Sequence, residues 1–138
     1  MIAAVEHADR VETIVLVDPA LPVSRRRRGR DWVIPAFLEA DRSIARYVLR
    51  PRRFRKLIHR IGAPTLLIHG SEDRLVSVDS ARWAASERPC WTYAEFEHVG
   101  HVPMLEAGDL FTSTVTAWLA STPQRRLNPY APDRRNTV

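Results

Sequence analysis

One histidine and two aspartates carry the chemistry that this sequence suggests. His101 closes the stretch EHVGH, directly after a glycine and just before VPMLE. Asp73 lies in HGSEDRLV, and Asp18 in LVDPA. An imidazole beside a carboxylate is a proton-transfer unit. The carboxylate accepts a hydrogen bond from one ring nitrogen, which fixes the tautomer and stabilises the imidazolium. The other nitrogen is then free to take a proton from a nucleophile. Residues so far apart along the chain need a fold that brings their loops together.

The elements around them predict such a fold. IVLV (14–17) is a short, continuous, β-branched run stopped by Asp-Pro, which reads as a buried strand. APTLLIHG (63–70) reads as a second buried strand, and WTYAEF (91–96), with its aromatic and β-branched residues, as a third strand. Residues 1–9 read as a helix end, and 31–61 as helix in pieces. Ile44, Tyr47 and Val48 share one face of the first piece, which Pro51 ends. Phe54, Leu57, Ile58 and Ile61 make a second stripe, with Gly62 as its closing cap. A helix over 78–87 starts at Ser77 or Asp79. A last helix over 109–120 puts Phe111, Val115, Trp118 and Leu119 on one face. HVGHVPMLEAG reads as a loop. Buried strands alternating with helices give an α/β parallel sheet. Ligands bind beyond the carboxyl ends of such strands, where the Asp18, Asp73 and His101 loops emerge.

Two segments, PTLLIHGSEDRLVSVDSARWAA and FEHVGHVPMLEAGDLFTSTVTAWL, resemble the C-terminal part of the α/β-hydrolase fold. That family places G-x-x-D after the penultimate strand and a Gly-His after the last. The resemblance implies Asp73 as the triad acid and His101 as the triad base. EHADRVETIVLVDPALP resembles the helix end and strand that follow the nucleophile elbow. The implied core is therefore 1–22 and 61–120, about three parallel strands flanked by helices. Residues 23–60 stand where the family has its cap, here a short helical insertion, and 121–138 form a disordered tail. Ala8, Ser77 and Gly108 stand where the family pattern has proline. Asp18 is the alternative acid, since some family members carry it after the earlier strand. A turn-forming Asp-Pro is the plainer reading.

The nucleophile is missing. The family order is nucleophile, acid, histidine, with the nucleophile in G-x-S-x-G. The five glycines are Gly29, Gly62, Gly70, Gly100 and Gly108, and no two are four apart. The family position of the nucleophile falls before Met1. Ser71 lacks elbow geometry, and Cys90 precedes a strand at the wrong end of the sheet. Ser24 is the strongest of the three substitutes, and all three read as ordinary residues. The chain is thus expected to be a truncated hydrolase with acid and base, inactive alone. The intact parent would act on a small-molecule ester or related bond.

The other residues take plainer roles. His69 and His98 read as packed or loop residues. Glu106 is either a support for the histidine loop or an exposed carboxylate. Trp32, Phe37 and Leu38 read as cap packing before acyl-pocket lining. Met104 and Leu105 read as pocket wall or core.

Composition sets the remaining bounds. The 138 residues suffice for one domain with a core. No apolar run is long enough to span a membrane, and MIAAVEHADRVE does not read as a secretory signal. One cysteine excludes an internal disulfide, and the default expectation is cytoplasmic. The net charge is +5, and of 21 Lys and Arg only Lys56 is lysine. The arginine runs SRRRRGR and RPRRFRK read as solvated faces, and no nucleic-acid recognition motif accompanies them. There is no H-x-x-x-H, no C-x-x-C and no glycine-rich phosphate loop, and the family needs no cofactor. A competing reading is a non-catalytic remnant or partner-binding module. It would use an open sheet edge, where self-association is expected, or the basic cap.

Overall fold

The computed structural model describes residues 5, 8, 10–19 and 51–123. Three strands, β1 (Ile14–Val17), β2 (Thr65–Gly70) and β3 (Thr92–Phe96), form a parallel sheet in that order. Ile14 pairs with Thr65 and Val17 with Ile68, while Leu66 pairs with Thr92 and Gly70 with Phe96. β1 and β2 are legible as short apolar runs and β3 by its aromatic and β-branched residues; β2 is buried at every position, while β1, expected to be buried, is only partly so. A central parallel strand is covered on both faces, which is why TLLI shows no alternation.

Helix α1 (Pro51–His59) precedes β2, and α2 (Val78–Glu87) connects β2 to β3. Phe54 and Ile58 of α1 pack with Ala81 and Ala84 of α2 over Leu67 of the sheet. The opposite face carries α4 (Gly108–Ser121), preceded by the one-turn helix α3 (Pro103–Glu106). Trp118 of α4 closes that side over Leu66, Ile68 and Phe96. Its indole Nε1 donates to Thr92 Oγ1 at 3.0 Å, so the buried ring keeps a polar partner. Burying each such large side chain stabilises the fold by about 1.5–3 kcal/mol.

Polar contacts tie the elements together. Arg88, after α2, donates to the Ile61 and His59 carbonyls at 2.6 and 3.2 Å. It also lies over the Trp91 ring, 5.6 Å from its centroid. Arg55 and His59 of α1 reach Glu87 of α2. On the exposed side of α2, Arg82 pairs with Glu95, which also accepts from the Tyr93 hydroxyl.

Several local expectations need correction. The second stripe buries Phe54, Ile58 and Ile61, but its helix ends at His59, three residues before Gly62. Arg60 and Ile61 turn back onto Leu57 and Ile58 instead, so no glycine cap is needed. Ser77 is the N-cap of α2 by position, yet its side chain makes no capping bond. Residues 103–106 are helical rather than loop, because Pro103 at the first position fixes a helical φ. Leu119 is 37% exposed and Leu105 81% exposed, so neither belongs to the core of the described residues. Ile44, Tyr47, Val48, most of the 23–60 segment and all of the tail after 123 lie outside the described residues. Among the described residues no helix is long and apolar enough to cross a membrane.

Candidate functional site

Two loops leave the carboxyl ends of β2 and β3 and close on each other. The contact starts at Gly70, where a Cβ would run into the carbonyl groups of Val99 and Gly100. Only a residue without a side chain lets the backbones approach this closely. From there the loops zip together. Ser71 N–H donates to the Phe96 carbonyl at 2.9 Å, and Glu72 N–H to the Val99 carbonyl at 2.9 Å. Ser71 Oγ accepts from the His98 N–H at 2.9 Å, a structural role. His98 itself is largely exposed and pairs with Glu72, which raises its pKa.

This closure brings the two predicted residues together. His101 Nδ1 lies 2.7 Å from Asp73 Oδ2. The Asp73 side chain is fully buried, and that of His101 is 34% exposed. Asp73 is held from behind: its Oδ1 accepts from the Leu75 and Val76 N–H groups at 2.7 and 2.9 Å. An ionised carboxylate accepting these bonds is aimed, not merely nearby. Since the carboxylate accepts, Nδ1 carries the proton, and Nε2 is left with the lone pair. The ring is therefore set up to receive a proton at Nε2.

Glu106 supports the histidine loop. Its Oε2 accepts from Gly100 N–H at 2.8 Å and its Oε1 from Val102 N–H at 3.0 Å. The two amides flank His101, so one carboxylate fixes the backbone on both sides of the imidazole. This is the supporting alternative named from the sequence. Met104 and Leu105, on the same short helix, are 41% and 81% exposed among the described residues.

Asp18 and His69 lie behind Asp73. Asp18 ends β1 with a φ of 38°, the left-handed region that aspartate tolerates better than most residues. Its Oδ1 accepts from Gly70 N–H at 3.0 Å. Burial pushes its carboxyl above the ordinary aspartate range, and the Gly70 N–H and His69 oppose that shift. Asp18 does not touch His101 as a first acid would; its near neighbour is His69 Nδ1 at 3.3 Å. His69 is fully buried, and its Nε2 lies 3.1 Å from the Val76 carbonyl and 3.5 Å from Asp73 Oδ2. Reading His69 as a packed residue missed this position between two carboxylates. The signal available was its place at the carboxyl end of a buried strand, next to the loop that holds Asp73.

Asp18, His69 and Asp73 offer ligand atoms within 4.8 Å of one another, a spacing that a metal ion could use. Most of those atoms already have protein partners, and Asp73 Oδ2 is engaged by His101. Of the substitute nucleophiles, Cys90 is exposed just before β3, at the opposite end of the sheet. Ser24, Trp32, Phe37 and Leu38 lie outside the described residues.

No family model matches the chain. By sequence it is 31% identical over 83 residues to the pimeloyl-[acyl-carrier protein] methyl ester esterase of Nitrosomonas europaea. That match covers 60% of this chain and 31% of the esterase. By structure it resembles a serine hydrolase involved in carbazole degradation, with a TM-score of 0.62 and 19% identity over 87% of this chain and 58% of the other. It also resembles the esterase RhEst1 of Rhodococcus sp. ECU1013, with a TM-score of 0.62 and 21% identity over 87% and 60%. A meta-cleavage product hydrolase of Pseudomonas fluorescens gives 0.59 and 16% over 85% and 58%. The chain thus spans about a third of its curated relative.

Proposed function

Because this chain has the α/β-hydrolase fold, we propose that it supplies the acid and base of a hydrolase acting on an ester or related bond. His101 is the general base and then the general acid, and Asp73 orients it. The nucleophile comes from a segment outside these 138 residues, since the sequence contains no G-x-S-x-G. The substrate is a small ester-like molecule, in keeping with the esterases that the chain resembles.

The observation that carries this reading is the 2.7 Å contact from His101 Nδ1 to the fully buried Asp73. In the reaction, Nε2 removes the proton of the nucleophile's hydroxyl as the oxygen attacks the acyl carbon. Asp73 stabilises the imidazolium that results. The proton then passes to the leaving alcohol, and water, deprotonated in turn by Nε2, releases the acid. A base and acid without a nucleophile and oxyanion donors forfeit most of the acceleration. The 138-residue chain alone is therefore inactive on this proposal.

The test is hydrolysis of short-chain p-nitrophenyl esters by the longest natural form of the protein and by the 138-residue chain. The longer form turns over, and His101→Ala lowers its kcat by about 10⁴-fold or more. Turnover by the 138-residue chain that His101→Ala abolishes would overturn the missing-nucleophile claim. An unaltered rate in the longer His101→Ala form would overturn the role of the base.

A further inference from the structure

We propose that one buried proton is shared between His69 Nδ1 and Asp18 Oδ1, and that this pair is a positioning element behind Asp73. The inference rests on the reading of Asp73 and His101 as acid and base. It goes beyond that reading because neither Asp18 nor His69 meets a reacting atom.

The Val76 carbonyl oxygen can only accept, and His69 Nε2 lies 3.1 Å from it, so Nε2 carries a proton. In a neutral ring Nδ1 would then present a bare lone pair. What it faces, at 3.3 Å, is a carboxylate oxygen of Asp18. Both side chains are buried, and neither His69 Nδ1 nor Asp18 Oδ2 has a hydrogen-bond partner among the described residues. Two acceptors facing each other away from water repel, and although Asp18 Oδ1 accepts from the Gly70 N–H, His69 Nδ1 is left unsatisfied. One proton between them turns the repulsion into a charge-assisted bond. The upward push of burial on the Asp18 carboxyl acts in the same direction.

The charged groups around His69 agree with one retained proton. Asp18 approaches from the end of β1 and Asp73 from the loop after β2, while His101 lies beyond Asp73. On β3, Glu95 stands level with His69, but Arg82 already holds its carboxylate. Two buried aspartates therefore surround one imidazole. Without the proton, a neutral imidazole would stand between two buried carboxylates with nothing to donate to Asp18. With it, Asp73 Oδ2 remains an acceptor for His101.

The test is NMR of the full 138-residue chain labelled with ¹⁵N-histidine and ¹³C-aspartate at neutral pH. The expected result is a proton on the pair: either both His69 ring nitrogens are protonated, or the Asp18 carboxyl carbon reports the acid form. An ionised Asp18 beside a His69 protonated at Nε2 alone overturns the proposal, and no variant is needed to see it. The positioning role is read from the downfield His101 Nδ1–H resonance. His69→Gln keeps a donor for Val76 but has no second ring nitrogen, and Asp18→Leu removes the partner. Loss of the His101 resonance is expected in whichever variant remains folded, and its retention with Asp18→Asn, which offers an amide donor to Nδ1. An unchanged resonance in a folded His69→Gln or Asp18→Leu chain overturns the positioning role. A wild-type chain lacking any Asp73-dependent His101 Nδ1–H signal would sink the acid–base reading instead. The protonation of His69 and Asp18 would still be read from their own resonances.

Discussion

Gly70 and Gly100 meet at the carboxyl ends of adjacent strands, so close that a Cβ on Gly70 would strike the Gly100 carbonyl. Asp73 and His101 hang from the two loops that start there. The hydrogen bond between Asp73 and His101 therefore depends on a backbone contact that neither residue makes.

Gly70→Ala should destabilise the chain by about 1–3 kcal/mol, since backbone cannot yield as a flexible side chain would. It should also part Asp73 from His101. A lowered melting temperature with loss of the His101 Nδ1–H resonance is the expected pair of results. A stable Gly70→Ala variant with that resonance intact would show that the close approach is dispensable.

Glu106 braces the His101 loop. Removing its carboxylate leaves the Gly100 and Val102 N–H groups without their acceptor, and both are partly open to water. Glu106→Ala should cost about 1 kcal/mol of stability. More tellingly, it should speed hydrogen exchange at the Gly100 and Val102 amides. Glu106→Gln, which keeps one acceptor oxygen, should recover part of the protection.

The Arg82–Glu95 pair predicts a small acid dependence. Its hydrogen bond with Arg82 holds the Glu95 carboxyl below its ordinary value of 4.5. A depressed carboxyl stabilises the fold fully above that ordinary value. The contribution is lost as pH falls through the lower, folded value. Arg82 is largely exposed, so solvent screens the pair and the effect is modest. Melting curves from neutral pH down to acid should fall less steeply for Arg82→Gln than for wild type. Parallel curves would rule out the linkage.

β1 is a sheet edge whose only strand partner among the described residues is β2, and Val15 on it is 37% exposed. An unpaired apolar edge recruits other chains. The 138-residue chain should self-associate, with an apparent mass in analytical ultracentrifugation that rises with concentration. Val15→Lys should reduce that association. A monodisperse monomer at all concentrations would count against an exposed edge.

The sequence by itself determined the strands and the helices over 78–87 and 109–120, because these rest on local periodicity and length. TLLI, buried at every position, and the stripe of Phe54, Ile58 and Ile61 announce their burial locally, whereas IVLV, expected to be buried, is an edge strand with no fully buried position and Val15 37% exposed. It also marked Asp73 and His101, through a resemblance that names the loops after two particular strands. Only the tertiary structure decided what those loops do at their tips. Whether His69 is core filler or a partner of two acids depends on where β1 ends, and on the turn that points Asp18 inward. Whether Glu106 braces the His101 loop depends on the one-turn helix that Pro103 starts. Leu119 reads as part of an apolar helix face and Leu105 as pocket wall or core, yet they are 37% and 81% exposed among the described residues. Periodicity gives a residue its face. What that face meets is set by contacts between segments distant in sequence, and composition carries no record of them.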